Sequence, residues 1–414
     1  MTTTTDFEEQ ILSEEFGIDP YPTLHELRET HPVHWFEPWQ SWLFTRHEDA
    51  AYILGNDNFT DVGRPGWDDE PGFETDPPRT RSLLNSEPPE HTALRLTTRQ
   101  ELTPRAVGEH EPAVQQFIDE LLNGIEPPEE FDAIQRLAAP IPTFAVSRAI
   151  GVPEGFADLL MPKSSSNSTI DLLGIPAECP HAHQIREQLP ERPAFVSPTP
   201  LVEDVLWGTT AHGPAEEHSQ ALQNIRDAVE NKSITRDEGI AHVIGVVGAG
   251  LDTSKTFAAS SLGLLLSHPE ELEKLRANPD WIPMALEEVL RYAAPVARIP
   301  RRVKEDFEIG GFQIRKNELV MAMVAIANRD PQRFEDPDTF KVDRFVGQRV
   351  IGHLTFGAGR HLCVGAHVAR QEVQLLIQSL LERFSDISLV NDELEWVPHW
   401  EIREMDELPI RIAS

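Results

Sequence analysis

Residues 356–365, Phe-Gly-Ala-Gly-Arg-His-Leu-Cys-Val-Gly, set Cys363 in a glycine-punctuated loop, and an apolar-periodic segment, 366–384, follows at once. Gly357, Gly359 and Gly365 permit positive φ and close approach of the backbone to a flat ligand. A cysteine placed just ahead of a helix meets unpaired N–H groups and the positive end of the helix dipole, which stabilise a thiolate. From the residues alone two readings stand: a small buried hydrophobe, or a thiolate ligand for a metal. A dinucleotide-phosphate loop is excluded. Its third glycine would fall at position 362, which is Leu, and no strand follows to carry the ribose-binding acid.

Residues 240–267 read as one long helix. Thr235-Arg236-Asp237-Glu238 forms a capping box ahead of it, and Ser267 with Pro269 marks its stop and the next helix. At ~1.5 Å per residue such a helix runs about 40 Å, enough to cross a whole domain. Its middle, 244–251, is apolar on every side, which predicts burial, and Asp252-Thr253-Ser254 then drops a carboxylate and hydroxyls into that stretch. A buried carboxylate is costly without partners. The glycines weaken the helix, and a Thr hydroxyl can replace a broken backbone bond, so a helix deformed over its centre is expected, with room for a small polar ligand or water. A glycine-rich packing site with an incidental acid is an equal reading of the same residues.

Weaker signals lie elsewhere. Glu288 and Arg291, at i,i+3, share a helix face and can pair, a spacing also frequent on solvated helices. His91 and Arg95 fall at i,i+4 on a helix that Pro89 would start. Alone, each cation would read as a surface charge.

Together these segments resemble the cytochrome P450 family of the soluble bacterial type. The 356–365 loop resembles its haem-binding signature, Phe-Gly-x-Gly-x-His-x-Cys-x-Gly, and residues 249–254 resemble its oxygen-activation stretch, with Ser254 where Thr is commoner. Residues 88–95, 327–331 and 338–345 resemble further family segments, and Arg301 stands ahead of Glu305-Asp306-Phe307 with the family's spacing. The resemblance implies Cys363 as the proximal ligand of haem b, with Phe356 and Gly365 in the cofactor loop. It implies His91, Arg95, Arg301 and His361 as propionate partners. Asp252 and Thr253 would deliver protons as the O–O bond of dioxygen is cleaved. Glu288, Arg291 and Arg344 would form a buried, structural charge network behind the loop.

The implied fold is mainly α with a smaller β lobe, the haem lying between the long central helix and the Cys-loop helix, in one domain spanning 1–414 with no length left for a fused reductase. β-type segments cluster near 32–45, 303–324 and 394–412. Residues 162–213 lack periodicity, where the family carries its lid over the substrate. Cys179-Pro180-His181-Ala182-His183, with no second ligand cluster, reads as loop rather than metal site. Substrate contacts are expected from Gly248, Ala249, Val296, Ala297, the lid and the 397–403 turn; small and apolar side chains there favour an apolar substrate. Arg298 could fix a substrate carboxylate, or be an outward-facing or haem-edge arginine.

The implied activity is insertion of one oxygen atom from O2 into a C–H bond of a small, largely apolar organic substrate, with electrons from a separate ferredoxin and reductase. A peroxide-driven or isomerising haem-thiolate enzyme is an alternative, against which the intact Asp252-Thr253 pair counts. A haem-thiolate binding or sensor protein without turnover is another, and nothing in the chain resembles a DNA-binding or signalling module. The balance of 69 acidic against 36 basic residues, net −33, repels nucleic acid and anionic membrane. No apolar leader and no run of ~20 apolar residues occurs. With two cysteines arguing against a disulfide framework, a soluble cytoplasmic protein is expected. An acidic chain meeting an acidic ferredoxin needs a local basic patch, for which Arg360, Arg370 and Arg99 are the candidates.

Overall fold

The structure is a computed structural model that describes residues 4–60, 82–84, 86–153, 156, 199–208, 219–391, 393–398 and 402–414. Of the expected lid, 162–213, only 199–208 falls within the described residues, and the 179–183 stretch lies outside them.

Helix α1 (Tyr21–Thr30) leads into strands β1 (Val33–Phe36) and β2 (Ser41–Phe44), then helix α2 (His47–Gly55) and strand β3 (Phe59–Thr60). A helical stretch follows: α3 (Glu90–Thr98), α4 (Pro104–Asn123), the strand β4 (Glu129–Asp132) and α5 (Pro140–Ile150). Beyond α6 (Thr199–Trp207) and α7 (Gln220–Glu230) runs the long α8 (Arg236–Ser267), then α9 (Pro269–Ala277) and α10 (Ile282–Tyr292). Strands β5 (Ile299–Val303), β6 (Phe307–Ile309), β7 (Phe312–Ile314) and β8 (Leu319–Ala322) precede α11 (Ala366–Arg383), β9 (Ile387–Leu389) and β10 (Pro409–Ile412). The mainly α architecture with a smaller β lobe is as expected.

The β lobe is a mixed five-stranded sheet in the order β1-β2-β8-β5-β3. Its central strand β8 reads Leu-Val-Met-Ala and is buried at all four positions, as a strand covered on both faces must be. β8 pairs parallel to β2 (Leu43↔Met321) and antiparallel to β5 (Arg301↔Val320). The 394–412 segment holds less strand than expected: isolated bridges Trp396↔Met405 and Val296↔Ile402, then β10, which pairs with β4 and β9. The largest apolar core gathers α4, α5, α8, α10 and α11.

Helix α8 begins as its sequence dictates. Thr235 Oγ1 accepts from the Glu238 N–H (3.2 Å), and the Thr235 N–H donates to Glu238 Oε2 (2.7 Å). The expected deformation is absent, for the helix runs unbroken from Arg236 to Ser267. Thr253 Oγ1 donates to the Ala249 carbonyl at 2.7 Å, adding a bond to the turn instead of replacing one. Burial of the middle is also one-sided. Val247 and Leu251 are buried, whereas Ala249 is exposed. The glycines divide likewise: a Cβ on Gly250 would come 3.0 Å from Val146 of α5, while one on Gly248 would meet nothing within 4 Å among the described residues.

Two adjacent carboxylates of α10 knit the molecule. Glu288, fully buried, takes a bidentate pair from Arg291 (Nε to Oε2 2.7 Å, Nη2 to Oε1 2.8 Å) and further bonds from Arg344 Nε (2.9 Å) and the Lys341 N–H (3.1 Å). Arg291 Nη1 donates onward to the carbonyls of Asn328 (3.0 Å) and Pro337 (2.7 Å). Glu287 points elsewhere, to Arg370 of α11 and to His353 Nε2 (2.9 Å). Burial pushes the Glu287 pKa up, but the bonds from Arg370 and His353 win and hold it near 2.

Another carboxyl has the opposite fate. Glu372 of α11 is buried against α8 beside Ser254; burial raises its pKa to about 8, the Ser254 hydroxyl offsetting only part of the rise. It is therefore neutral at neutral pH.

Two outcomes are expected. Glu288→Gln strands two buried arginines and should cost about 3–5 kcal/mol, read by denaturant unfolding; a loss below about 1 kcal/mol would contradict a buried network. Because Glu372 has a folded pKa above its unfolded value, its contribution is complete below pH 4.5 and lost as pH rises through about 8. Glu372→Gln should therefore flatten the fall of thermal midpoint between pH 5 and pH 8, and an unchanged slope would show that the carboxyl is not held neutral.

Candidate functional site

The loop that carries Cys363 is shaped from both ends. Asn328, in the 327–331 segment, accepts from the Leu354 N–H at Oδ1 (2.8 Å) and donates from Nδ2 to Thr355 Oγ1 (2.9 Å), and that hydroxyl donates to the Leu290 carbonyl (2.7 Å). Gly357 (φ +71°) and Gly359 (φ +65°) then turn the chain through the left-handed region. Gly359 has a second reason to be glycine, since a Cβ there would sit 3.0 Å from Gly55 Cα at the end of α2. Gly365 departs from expectation. It caps α11 with φ −86°, so it needs no left-handed backbone, and its Cβ position has nothing within 4 Å. The Cys363 N–H closes the loop on the Phe356 carbonyl (2.9 Å), and the Arg370 guanidinium lies 4.3 Å over the Phe356 ring.

The Cys363 thiol is solvent-accessible, yet burial is the main influence on it and pushes its pKa up. A group both accessible and enclosed by protein lines a concavity. The N–H groups of Gly365 and Ala366 and the charges of Arg95 and Arg370 work in the opposite direction without prevailing. Burial thus outweighs the helix end at this thiol. A bound cation would reverse this, since coordination deprotonates a thiol outright.

A polar rim adjoins this loop. Arg95 Nη2 donates to the Leu362 carbonyl (2.9 Å), and the His91 ring lies 4.5 Å from that of His361. His91 is buried, its Nε2 has no hydrogen-bond partner among the described residues, and burial, with the neighbouring His361 and Arg95, lowers its pKa to about 4. His361 faces Glu87 at 3.7 Å, and Glu87 also pairs with Arg360 (3.0 Å) and Lys304 (3.5 Å). Arg301 is buried in β5, one residue before Arg302, which pairs with Thr60 across to β3. The structure thus brings His91, Arg95 and His361 together, with Arg301 on the adjoining sheet.

On α8, Asp252 is not an isolated acid. Lys255 Nζ lies 3.2 Å from Asp252 Oδ1 and 3.3 Å from Glu404 Oε2. Val296 is half-buried and bridges to Ile402, joining two of the stretches expected to touch substrate. Ala297 is corrected: it is 3% exposed, packed with Phe36, Trp39 and Met321, and belongs to the core. Arg298 is buried as well, its guanidinium 4.1 Å over the Trp39 ring, so it is not outward-facing. Arg403 ties the C-terminal turn to the Gly17 (3.0 Å) and Ile18 (2.8 Å) carbonyls.

The expected basic patch is corrected too. Arg360 is neutralised by Asp57 and Glu87, and Arg370 by Glu287, leaving Arg99 exposed at the end of α3. Sequence reasoning missed Glu287, His353 and Glu404, whose partners lie far along the chain, and Lys255, which pairs both with Asp252 three residues away and with the distant Glu404. Asn328 stood in a recognised segment, and the i,i+3 spacing of Asp252 and Lys255 was a second findable signal.

These residues fit a flat cofactor that brings its own equatorial ligands and carries carboxylates. One thiol can supply an axial bond, the orphaned His91 Nε2 and the Arg95 guanidinium can meet anions, and the open Cβ positions at Gly248 and Gly365 leave backbone that a planar group can approach. Among the described residues no helix is long and apolar enough to cross a membrane.

The cytochrome P450 family model matches residues 211–395. The cytochrome P450 monooxygenase PikC of Streptomyces venezuelae is 32% identical over 410 residues, 97% of this chain and 92% of that protein. The 6-deoxyerythronolide B hydroxylase of Saccharopolyspora erythraea is 32% identical over 425 residues, the whole of both. Among solved structures, P450BioI in complex with a hexadec-9Z-enoic acid-ligated acyl carrier protein superposes with a TM-score of 0.80 at 26% identity, covering 97% of this chain and all of that one. With a thiol at a helix end, a polar rim of histidine and arginine and near full-length likeness to named monooxygenases, the chain belongs to the cytochrome P450 family of oxygen-incorporating, haem-dependent oxidoreductases.

Proposed function

We propose that Cys363 would hold the iron of a haem b, and that the enzyme hydroxylates a small, largely apolar molecule in the cytoplasm with electrons from a separate ferredoxin-type donor. The observation that carries this is the accessible but enclosed thiol of Cys363, flanked by the Gly365 and Ala366 N–H groups. When bound, haem supplies the activation of dioxygen, and the thiolate's electron density favours O–O cleavage.

The chain's own residues divide the remaining work. His91, Arg95, Arg301 and His361 would hold the two propionates, giving the orphaned His91 Nε2 a partner. Phe356 and Gly365 flank the thiolate. Its sulfur keeps the N–H contacts of Gly365 and Ala366, which temper its charge and so its donor strength. On the opposite face, Ala249 and Gly248 present no bulk, leaving space for substrate. Val296 offers an apolar edge, with its bridge to Ile402 fixing the C-terminal turn beside it. Thr253 Oγ1 spends its proton on the Ala249 carbonyl, so its lone pairs are free to accept a bond from a reacting group or a water. Asp252, one residue earlier, would relay a proton from solvent toward that hydroxyl, its carboxylate taking one up as it gives one on. The peroxide-driven alternative needs no such pair.

The reduced, carbon-monoxide-bound protein should show a strongly red-shifted Soret band that Cys363→Ser abolishes; a short-wavelength band in folded wild type would overturn thiolate ligation. Thr253→Ala should keep consuming electrons while product falls several-fold and hydrogen peroxide appears. Full coupling in that variant would remove the hydroxyl from proton delivery.

A further inference from the structure

Lys255 lies between two carboxylates, and the second is the point of interest. Its Nζ is 3.2 Å from Asp252 Oδ1 and 3.3 Å from Glu404 Oε2, and the Lys255 and Glu404 side chains are only 13% and 6% accessible. Burial pushes the lysine pKa down, but the two carboxylates outweigh it and raise it above the ordinary value, so the ammonium stays charged. One cation therefore serves two anions, and a closer approach to one is a retreat from the other.

Glu404 is not a free surface acid. Its carbonyl accepts from the Val397 N–H (3.0 Å), its own N–H donates to Ile402 O (3.1 Å), and the Arg403 N–H donates to Pro295 O (3.0 Å). Ile402 bridges to Val296. A chain of contacts thus runs from residues 295–296 through residues 402–404 to Lys255 and Asp252. Lys255 also lies one helical turn from Asp252, a spacing that holds the carboxylate along the helix surface.

Resting on the proposed function, we infer that Lys255 is a positioning residue for Asp252, and that Glu404 links its hold to the turn beside the substrate. A substrate seated against Val296 steadies residues 402–404, and Lys255 then keeps the Asp252 carboxylate aimed where it can relay a proton from solvent. With no substrate, residues 402–404 keep only their own ties to Pro295, Gly17 and Ile18, and the ammonium's hold on Asp252 is the looser for it. Proton delivery is thereby matched to occupancy, which limits wasteful reduction of oxygen.

The experiment compares Lys255→Met, Lys255→Arg and the double variant Lys255→Met/Glu404→Gln, measuring thermal midpoint, product per electron pair and peroxide on the haem-loaded enzyme. Lys255→Met should lower the thermal midpoint, because it strands buried Glu404, and cut product per electron pair at least threefold, with peroxide making up the difference. Lys255→Arg should restore most of the coupling. The double variant removes the stranded charge, so it should regain thermal stability while staying uncoupled. Full coupling in the double variant, or no rescue by arginine, would overturn the inference and reduce Lys255 to a counter-ion for Glu404. Thr253→Ala run alongside separates the two levels. If it uncouples while Lys255→Met does not, only the positioning role falls; if it too is fully coupled, the acid–alcohol reading falls and this inference with it.

Discussion

The buried Glu288 carboxylate is the point from which the rest of the site is hung. Four bonds converge on it from Arg291, Arg344 and the Lys341 backbone, with no access to water. Such an ion cluster gains little over apolar packing in free energy, but it is strict about geometry, because each lost bond leaves a buried charge exposed to a low dielectric. Its neighbour Glu287 faces a different side of α10 and grips Arg370 and His353. Consecutive helical residues project about 100° apart, so one turn of helix clamps the 337–344 meander with one side chain and the Cys loop with the other. The loop around Cys363 can be rich in glycine and still hold one shape, because its rigidity is supplied from outside.

How far the residues reveal this depends on sequence distance. The capping box at Thr235 and Glu238, the Glu288–Arg291 pair and the loop-to-helix junction at Gly365 are local, and local rules reach them. Arg344 on Glu288 was accessible only through family likeness. The Glu287–Arg370 and Lys255–Glu404 pairs join residues with no shared periodicity, so no pattern in the chain points to them. The same holds for Ala297: in a stretch that is neither helix nor regular strand, alternation cannot tell a pocket wall from the core.

The glycines teach the complementary point. Equivalent in composition, they act for different reasons: Gly359 because Gly55 leaves no room for a methyl, Gly250 because α5 packs close, and Gly248 with nothing against it. Only the last leaves open space along α8, and sequence treats all three alike. Similarly, the composition of 244–251 cannot show that Ala249 is exposed while Val247 and Leu251 are buried.

The internal pairing of Arg360 and Arg370 reaches beyond the fold. With both cations cancelled at contact distance, what remains at long range is the field of a chain carrying 33 net negative charges. Such a field slows the diffusional encounter with any anionic electron carrier, and dissolved ions shorten its reach to about 8 Å at physiological ionic strength. Added salt therefore quickens that encounter, the reverse of electrostatic steering, and the affinity of the pair has to come from short-range fit.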